Sequence, residues 1–285
     1  MTTALRRAAL ALALAVSLPV HAHEGAAARL DRLDAALHLN PDDADARLRR
    51  ADERRRAGDL AGARADLELL GTGAVDRDSL AVAWAQVELD GGRAEAALER
   101  LADVSGGASV HDLRADALDA LGQGACRERL AALTASPTPD RAAAAFDACP
   151  APSPDLARAL GHAEEHLGFV GHVRRLRIQA TADPVHALSL SDELVVRLPS
   201  PDALLLRASL QPTNAAREAD LAAAVDLARA RLTRRATPLR RLALARALIS
   251  AGQPTAGRRE LAVVLAEAPD LDAARALAAQ LPEDP

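Results

Sequence analysis

From Ala28 to Leu281 the apolar residues fall in runs of Ala, Leu and Val, broken by short stretches carrying Gly, Asp or Pro. No segment shows the strict apolar–polar alternation of a half-buried strand. Ala and Leu are among the strongest helix formers, so each run reads as a helix and each break as its end. The pattern predicts a lone helix over 28–39, then pairs over 43–57 with 60–70, 78–90 with 94–103, and 109–121 with 124–135. An additional short helix follows at 140–148. Further pairs come at 154–167 with 170–181, 184–197 with 202–210, and 215–232 with 238–251. Helices at 254–267 and 270–281 close the chain, the last as a cap over the open end.

The breaks recur in one form. In "RAGDLAGARADLELL", Arg56 to Leu70, Gly58 interrupts a helical run, and Ala51 precedes it by seven residues. The same offset separates Ala85 from Gly92, Ala115 from Gly122, Gly161 from Gly168 and Ala245 from Gly252. Gly58 and Gly92 are 34 residues apart, and Gly92 and Gly122 are 30 apart, a period that marks stacked helical repeats. Each Gly is placed to take the left-handed conformation that stops a helix. Asp59 is placed to cap the helix that follows, and Pro254 sits at an early helical position where its missing donor is harmless. Ala51 with Ala63, Ala85 with Ala97, and Ala245 with Gly257 are the small residues expected where paired helices cross closely. Leu67, Leu101 and Leu261 lie one turn beyond and face the next unit.

These spacings resemble the tetratricopeptide repeat. "LHLNPDDADA" and "LAEAPDLDAA" place Pro41 and Pro269 at typical repeat junctions, and "LGHAEEHLG" keeps a Leu-Gly pair at its first-helix position. The likeness departs at the aromatic positions, which are mostly empty, at Arg50, where Leu is usual, and in the irregular lengths from Gly122 to Leu232. It implies an all-α protein, an α-solenoid of antiparallel helix pairs in a right-handed superhelix. It also implies a concave wall formed by Asp45, Asp52, Arg56, Gln86, Asp112, Asp116, Arg158, His162, His166 and Arg246. The early part of that wall is acidic, which suits a locally basic protein or peptide segment. The implied role is a non-catalytic binding scaffold with no cofactor.

Outside the repeats, "MTTALRR", an apolar stretch and "PVHA" have the layout of a cleaved secretory signal over 1–22. The cut is expected after Ala22, giving a periplasmic or secreted protein whose solenoid domain fills 23–285. The apolar stretch is too short to span a bilayer, and no later stretch suits membrane insertion. The net charge of −5 is spread over interspersed signs, and with one Trp, two Phe and no Tyr the chain offers few stacking groups. Nucleic acid is therefore not expected as a partner. All 35 basic residues of the Lys and Arg class are Arg.

Cys126 and Cys149 are the only thiols and lie equally far from the turn in "TASPTPD". Across an antiparallel hairpin they reach the same height, so a disulfide is expected in an exported chain. His162 and His166 share a helix face at the i, i+4 spacing that can chelate a metal, with His172 just beyond the turn. His23 would become the N-terminal residue after cleavage and offer its amine and imidazole to copper. Copper or zinc handling through His23 or His162 and His166 is thus the alternative to scaffolding.

Overall fold

The computed structural model describes residues 25–70 and 74–281, and among them 16 helices and no strand. In chain order they are α1 (Ala26–Leu39), α2 (Ala44–Arg56), α3 (Leu60–Glu68), α4 (Arg77–Asp90), α5 (Ala94–Leu101), α6 (Ala108–Ala120), α7 (Cys126–Ala135) and α8 (Pro139–Ala148). They continue as α9 (Pro154–Leu167), α10 (Gly171–Ala180), α11 (Pro184–Arg197), α12 (Pro201–Leu210), α13 (Asn214–Arg234), α14 (Pro238–Ser250), α15 (Pro254–Glu267) and α16 (Asp272–Gln280). The all-α reading holds. The expected signal segment and His23 lie outside the described residues.

Among the described residues the five recurring glycines are the ones with positive φ, between 67° and 82°. At four of them the helix ends in the same pair of hydrogen bonds. After α2, the Gly58 amide donates to the Arg55 carbonyl and the Asp59 amide reaches back to Arg54. Gly92, Gly122 and Gly252 repeat this arrangement, which satisfies carbonyls that a helix end otherwise leaves open. Gly168 differs: its ψ of −165° turns the chain another way.

Packing divides the chain into two units, one through Gly106 together with Asp116–Gln123, the other Gly107–Ala115 together with Gly124 onward. In the first, successive helices pack on each other and α2 also touches α4. Ala51 and Ala63 are fully enclosed with Leu67, Leu70 and Val87, and Trp84 lies against the same cluster. The α4/α5 crossing buries Ala85, Ala97 and Leu101 in the same way.

In the second unit α7 packs on both α8 and α9, while α8 reaches α10. Successive helices therefore alternate between two layers here, and Pro139–Ala148 belongs to that alternation rather than standing apart as an extra helix. The pairing that follows is shifted accordingly. The 21-residue α13 lies most closely on α12, and α14 forms the tightest hairpin with α15, not with the 215–232 segment. Leu242, Ala245, Leu261, Val264 and Ala274 form the core beneath α16. Five helix starts in this unit put Pro directly after a capping Ser, Thr or Asp: α8, α9, α11, α12 and α14. The side chain satisfies an orphan amide and Pro presets the first turn.

Cys126 opens α7 and Cys149 follows α8. They form the expected disulfide, with 4.8 Å between their Cα atoms.

Candidate functional site

Several helix crossings hold arginine–carboxylate pairs. Arg50, where Leu was the expectation, donates Nε to Asp66 Oδ2 at 2.9 Å and Nη2 to Oδ1 at 2.5 Å, and Nη1 reaches Asp34 at 2.6 Å. Arg54 adds a further bond to Asp66 at 2.9 Å. Asp66 is only 1% exposed, so this is a bidentate pair inside a helix crossing. The hydrogen bond to Asp66 raises the Arg50 pKa against the opposing effect of burial. Arg207 makes the same bidentate bond to buried Asp220, and Arg241 meets Glu260 at 2.8 Å. Each pair joins one helix of a hairpin to the next.

The network around Glu164 goes further, because it shapes a cavity. Buried Glu164 accepts from Arg174 at 2.6 Å and from Arg177 at 2.8 Å, and Arg174 also donates to Glu193 at 2.6 Å. Burial works against the Arg174 charge, but its bonds to the two carboxylates more than offset that and its pKa is raised. The bond from Arg174 holds the Glu193 carboxyl below its usual range. Arg177 then lies flat over Gly161, whose absent Cβ would stand 3.3 Å from the guanidinium carbon. A larger residue at 161 would lift Arg177 away from the helix.

Beside this arrangement a groove of about 1340 Å³ opens between α7 and α9. Leu130, Ala131 and Thr134 form one wall; Ala157, Arg158, Gly161, His162 and Glu165 form a helical stripe on the other; Arg177 stands at the side. Small side chains line most of it. Arg158 pairs with Asp155 at 3.1 Å near the rim. Cys126 lies in the α7 wall, so the disulfide ties that wall to α8.

Of the ten residues expected on one concave wall, the groove brings together Arg158 and His162. His166, on the same helix, is exposed, and its Nδ1 donates to the His162 carbonyl at 2.9 Å with the two rings 4.1 Å apart. Asp112 pairs with Arg141 of α8 at 2.9 Å. In the first unit, Asp52 is held by Arg55 and Arg56 at 2.9 and 2.8 Å and lines a smaller hollow with Arg29, Arg32 and Arg49. Asp45 and Arg56 are exposed and Gln86 is half-buried on α4. Asp116 is exposed on α6, and Arg246 is half-buried on α14. Among the described residues no three His, Cys, Asp or Glu side chains are placed to hold a metal. None of the described helices is long and apolar enough to cross a membrane.

Two features escaped the sequence reading. The α7 wall and Arg177 were missed because the middle of the chain has irregular repeat lengths. The basic stretch Leu227–Arg246 was missed although its signal is plain: seven Arg and no Asp or Glu in 20 residues.

Compared with models of known protein families and with curated proteins, the chain matches none.

Proposed function

We propose that this chain is an exported, non-catalytic scaffold, a tetratricopeptide-like α-solenoid of right-handed twist that holds a protein or peptide segment. The observation that carries the reading is the groove between α7 and α9. It is open, walled by α7 and α9, and lined by Ala, Gly and Leu together with charged groups. Such a trough suits a chain segment, whose backbone can approach small residues closely while its side chains meet Arg158, His162 and Glu165. Two of the nearby carboxylates are engaged structurally: Glu164 supports two guanidinium groups and Asp155 pairs with Arg158. Export rests on the Met1–Ala22 layout and agrees with the disulfide, which persists in oxidising compartments.

Photocrosslinking side chains introduced at Ala131 and Ala157, on the two groove walls, test the reading against one at exposed Ala219. Adducts with one partner formed from the wall positions and not from 219 are the expected result. Equal adducts from all three, or none from the walls, would move the binding surface elsewhere.

A further inference from the structure

At several places in the molecule arginines are matched with carboxylates, as at Asp66, Glu164 and Asp220. The edge formed by the C-terminal ends of α11 and α13 and the starts of α12 and α14 is different. Arg231 donates Nη2 to the Pro199 carbonyl at 2.5 Å, joining the end of α13 to the turn after α11. Arg240 donates to the carbonyls of Arg231 and Arg235 at 3.0 and 3.2 Å, drawing the start of α14 onto the end of α13. Arg234 and Arg235 are exposed between them. Among the described residues none of these four guanidinium groups pairs with a carboxylate. Backbone carbonyls hold two of them, Arg231 and Arg240, while Arg234 and Arg235 stand exposed, so the charges add. Aliphatic side chains at these helix ends are exposed as well: Leu239 65%, Val196 79% and Leu198, which partly covers Gly171, 47%.

We propose that this edge docks the protein on a bilayer containing anionic phospholipid. Guanidinium groups bind phosphate through paired N–H donors, and their apolar stems tolerate the headgroup region. Leu239, Val196 and Leu198 supply the aliphatic contacts that anchor an interfacial surface beyond its charge. The edge consists of helix ends and turns carrying outward aliphatics, a form that meets a broad fluid surface better than it grips one acidic chain. Because the whole chain has a net charge of −5, the rest of the molecule is repelled by such a bilayer and the edge turns toward it.

The test is co-sedimentation of the full chain at low salt with vesicles of mixed phosphatidylglycerol and phosphatidylcholine. Phosphatidylcholine alone sets the baseline contributed by the apolar N-terminal stretch. Each basic residue near an anionic surface is worth roughly a fivefold change in partition, so Arg234→Gln with Arg235→Gln is expected to lower binding about twentyfold. Leu239→Ser lowers it by a smaller factor. The pair Arg217→Gln with Arg259→Gln removes the same charge, with Arg217 in the first turns of α13 and far from the edge, and is expected to leave partition nearly unchanged. Equal losses from both pairs, binding no stronger than to phosphatidylcholine, or displacement by polyglutamate would each overturn the proposal, the last by making an acidic protein the better occupant.

Discussion

The hairpins α2/α3 and α14/α15 have the same glycine cap, small residues at the crossing and the same leucine one turn later. In α2/α3, Ala51 meets Ala63 and the neighbouring space holds Asp66 with two arginines. In α14/α15, Ala245 meets Gly257 so closely that a Cβ on Gly257 would lie 3.0 Å from the Ala245 carbonyl oxygen and 2.5 Å from Ile249 Cγ1. The Arg241–Glu260 pair there is more exposed than Asp66 and lies beside the crossing. One spacing in the sequence thus supports two ways of holding a hairpin. Where a methyl group remains on both helices, a buried ion pair bridges the crossing; where one is removed, the backbones approach directly.

Removing the carboxylate should separate the two most sharply. Asp66→Leu leaves guanidinium groups facing an apolar crossing, with an expected loss of about 3 to 5 kcal/mol in denaturant unfolding. Arg50→Leu and Arg54→Leu combined with Asp66→Leu should recover much of it, since replacing an ionic cluster together costs far less than breaking it. A combined variant as unstable as the single would defeat the ionic account. The covalent hairpin α7/α8 offers a third case: Cys126→Ser with Cys149→Ser is expected to cost about 3 kcal/mol, from the loop entropy returned to the unfolded chain. Comparing unfolding with and without reductant reads this out directly, and only the wild-type chain should respond.

Crowding comes next in size. Gly257→Val should cost about 2 kcal/mol through overpacking, and Gly257→Ala less, because better helix propensity offsets part of the clash. A rise in Tm for Gly257→Val would mean that the α14/α15 crossing has slack. Gly58→Ala and Gly252→Ala provide the internal control. Both positions have positive φ, 82° and 73°, and open space at the Cβ, so each should lose about 1 kcal/mol and by equal amounts. Unequal losses would show that the caps are not equivalent.

The smallest effect concerns acid. Burial opposes the Asp220 charge, but hydrogen bonds from Arg207 and Gln211 leave its pKa below the ordinary 3.8. A carboxylate depressed in the folded state contributes stability above its unfolded pKa and loses it as pH falls through the folded value. Stability should therefore decline below about pH 4. Asp220→Asn should be less stable at neutral pH and show a flatter acid limb; parallel curves for the two chains would remove Asp220 from the account.

Much of this was readable beforehand. Helix positions follow from the recurring glycines and from alanine seven residues earlier, because a left-handed stop and a close crossing each demand a particular residue type. Gly168 shows where that logic runs out: glycine permits several backbone paths, and only the surrounding chain selects ψ. Arg50 was visible as a departure, but its partner was not, since a bond spanning 16 residues depends on the hairpin angle. The pairing of α13 could not be read for a similar reason. Its length fits more than one neighbour, and the Arg207–Asp220 bond that fastens it to α12 is tertiary. Of the site, Arg158 and His162 were legible as a helical stripe, whereas the facing α7 wall required the layer alternation that irregular loop lengths conceal.

The pairing of Cys126 with Cys149 has a consequence for titration. With both sulfurs bonded and no Lys or Tyr in the chain, its side chains carry no thiol, amine or phenol to lose a proton in the alkaline range. Once the terminal amine has lost its proton, the protein's charge is constant across the alkaline range, and electrophoretic mobility there should trace a plateau until guanidinium groups begin to yield.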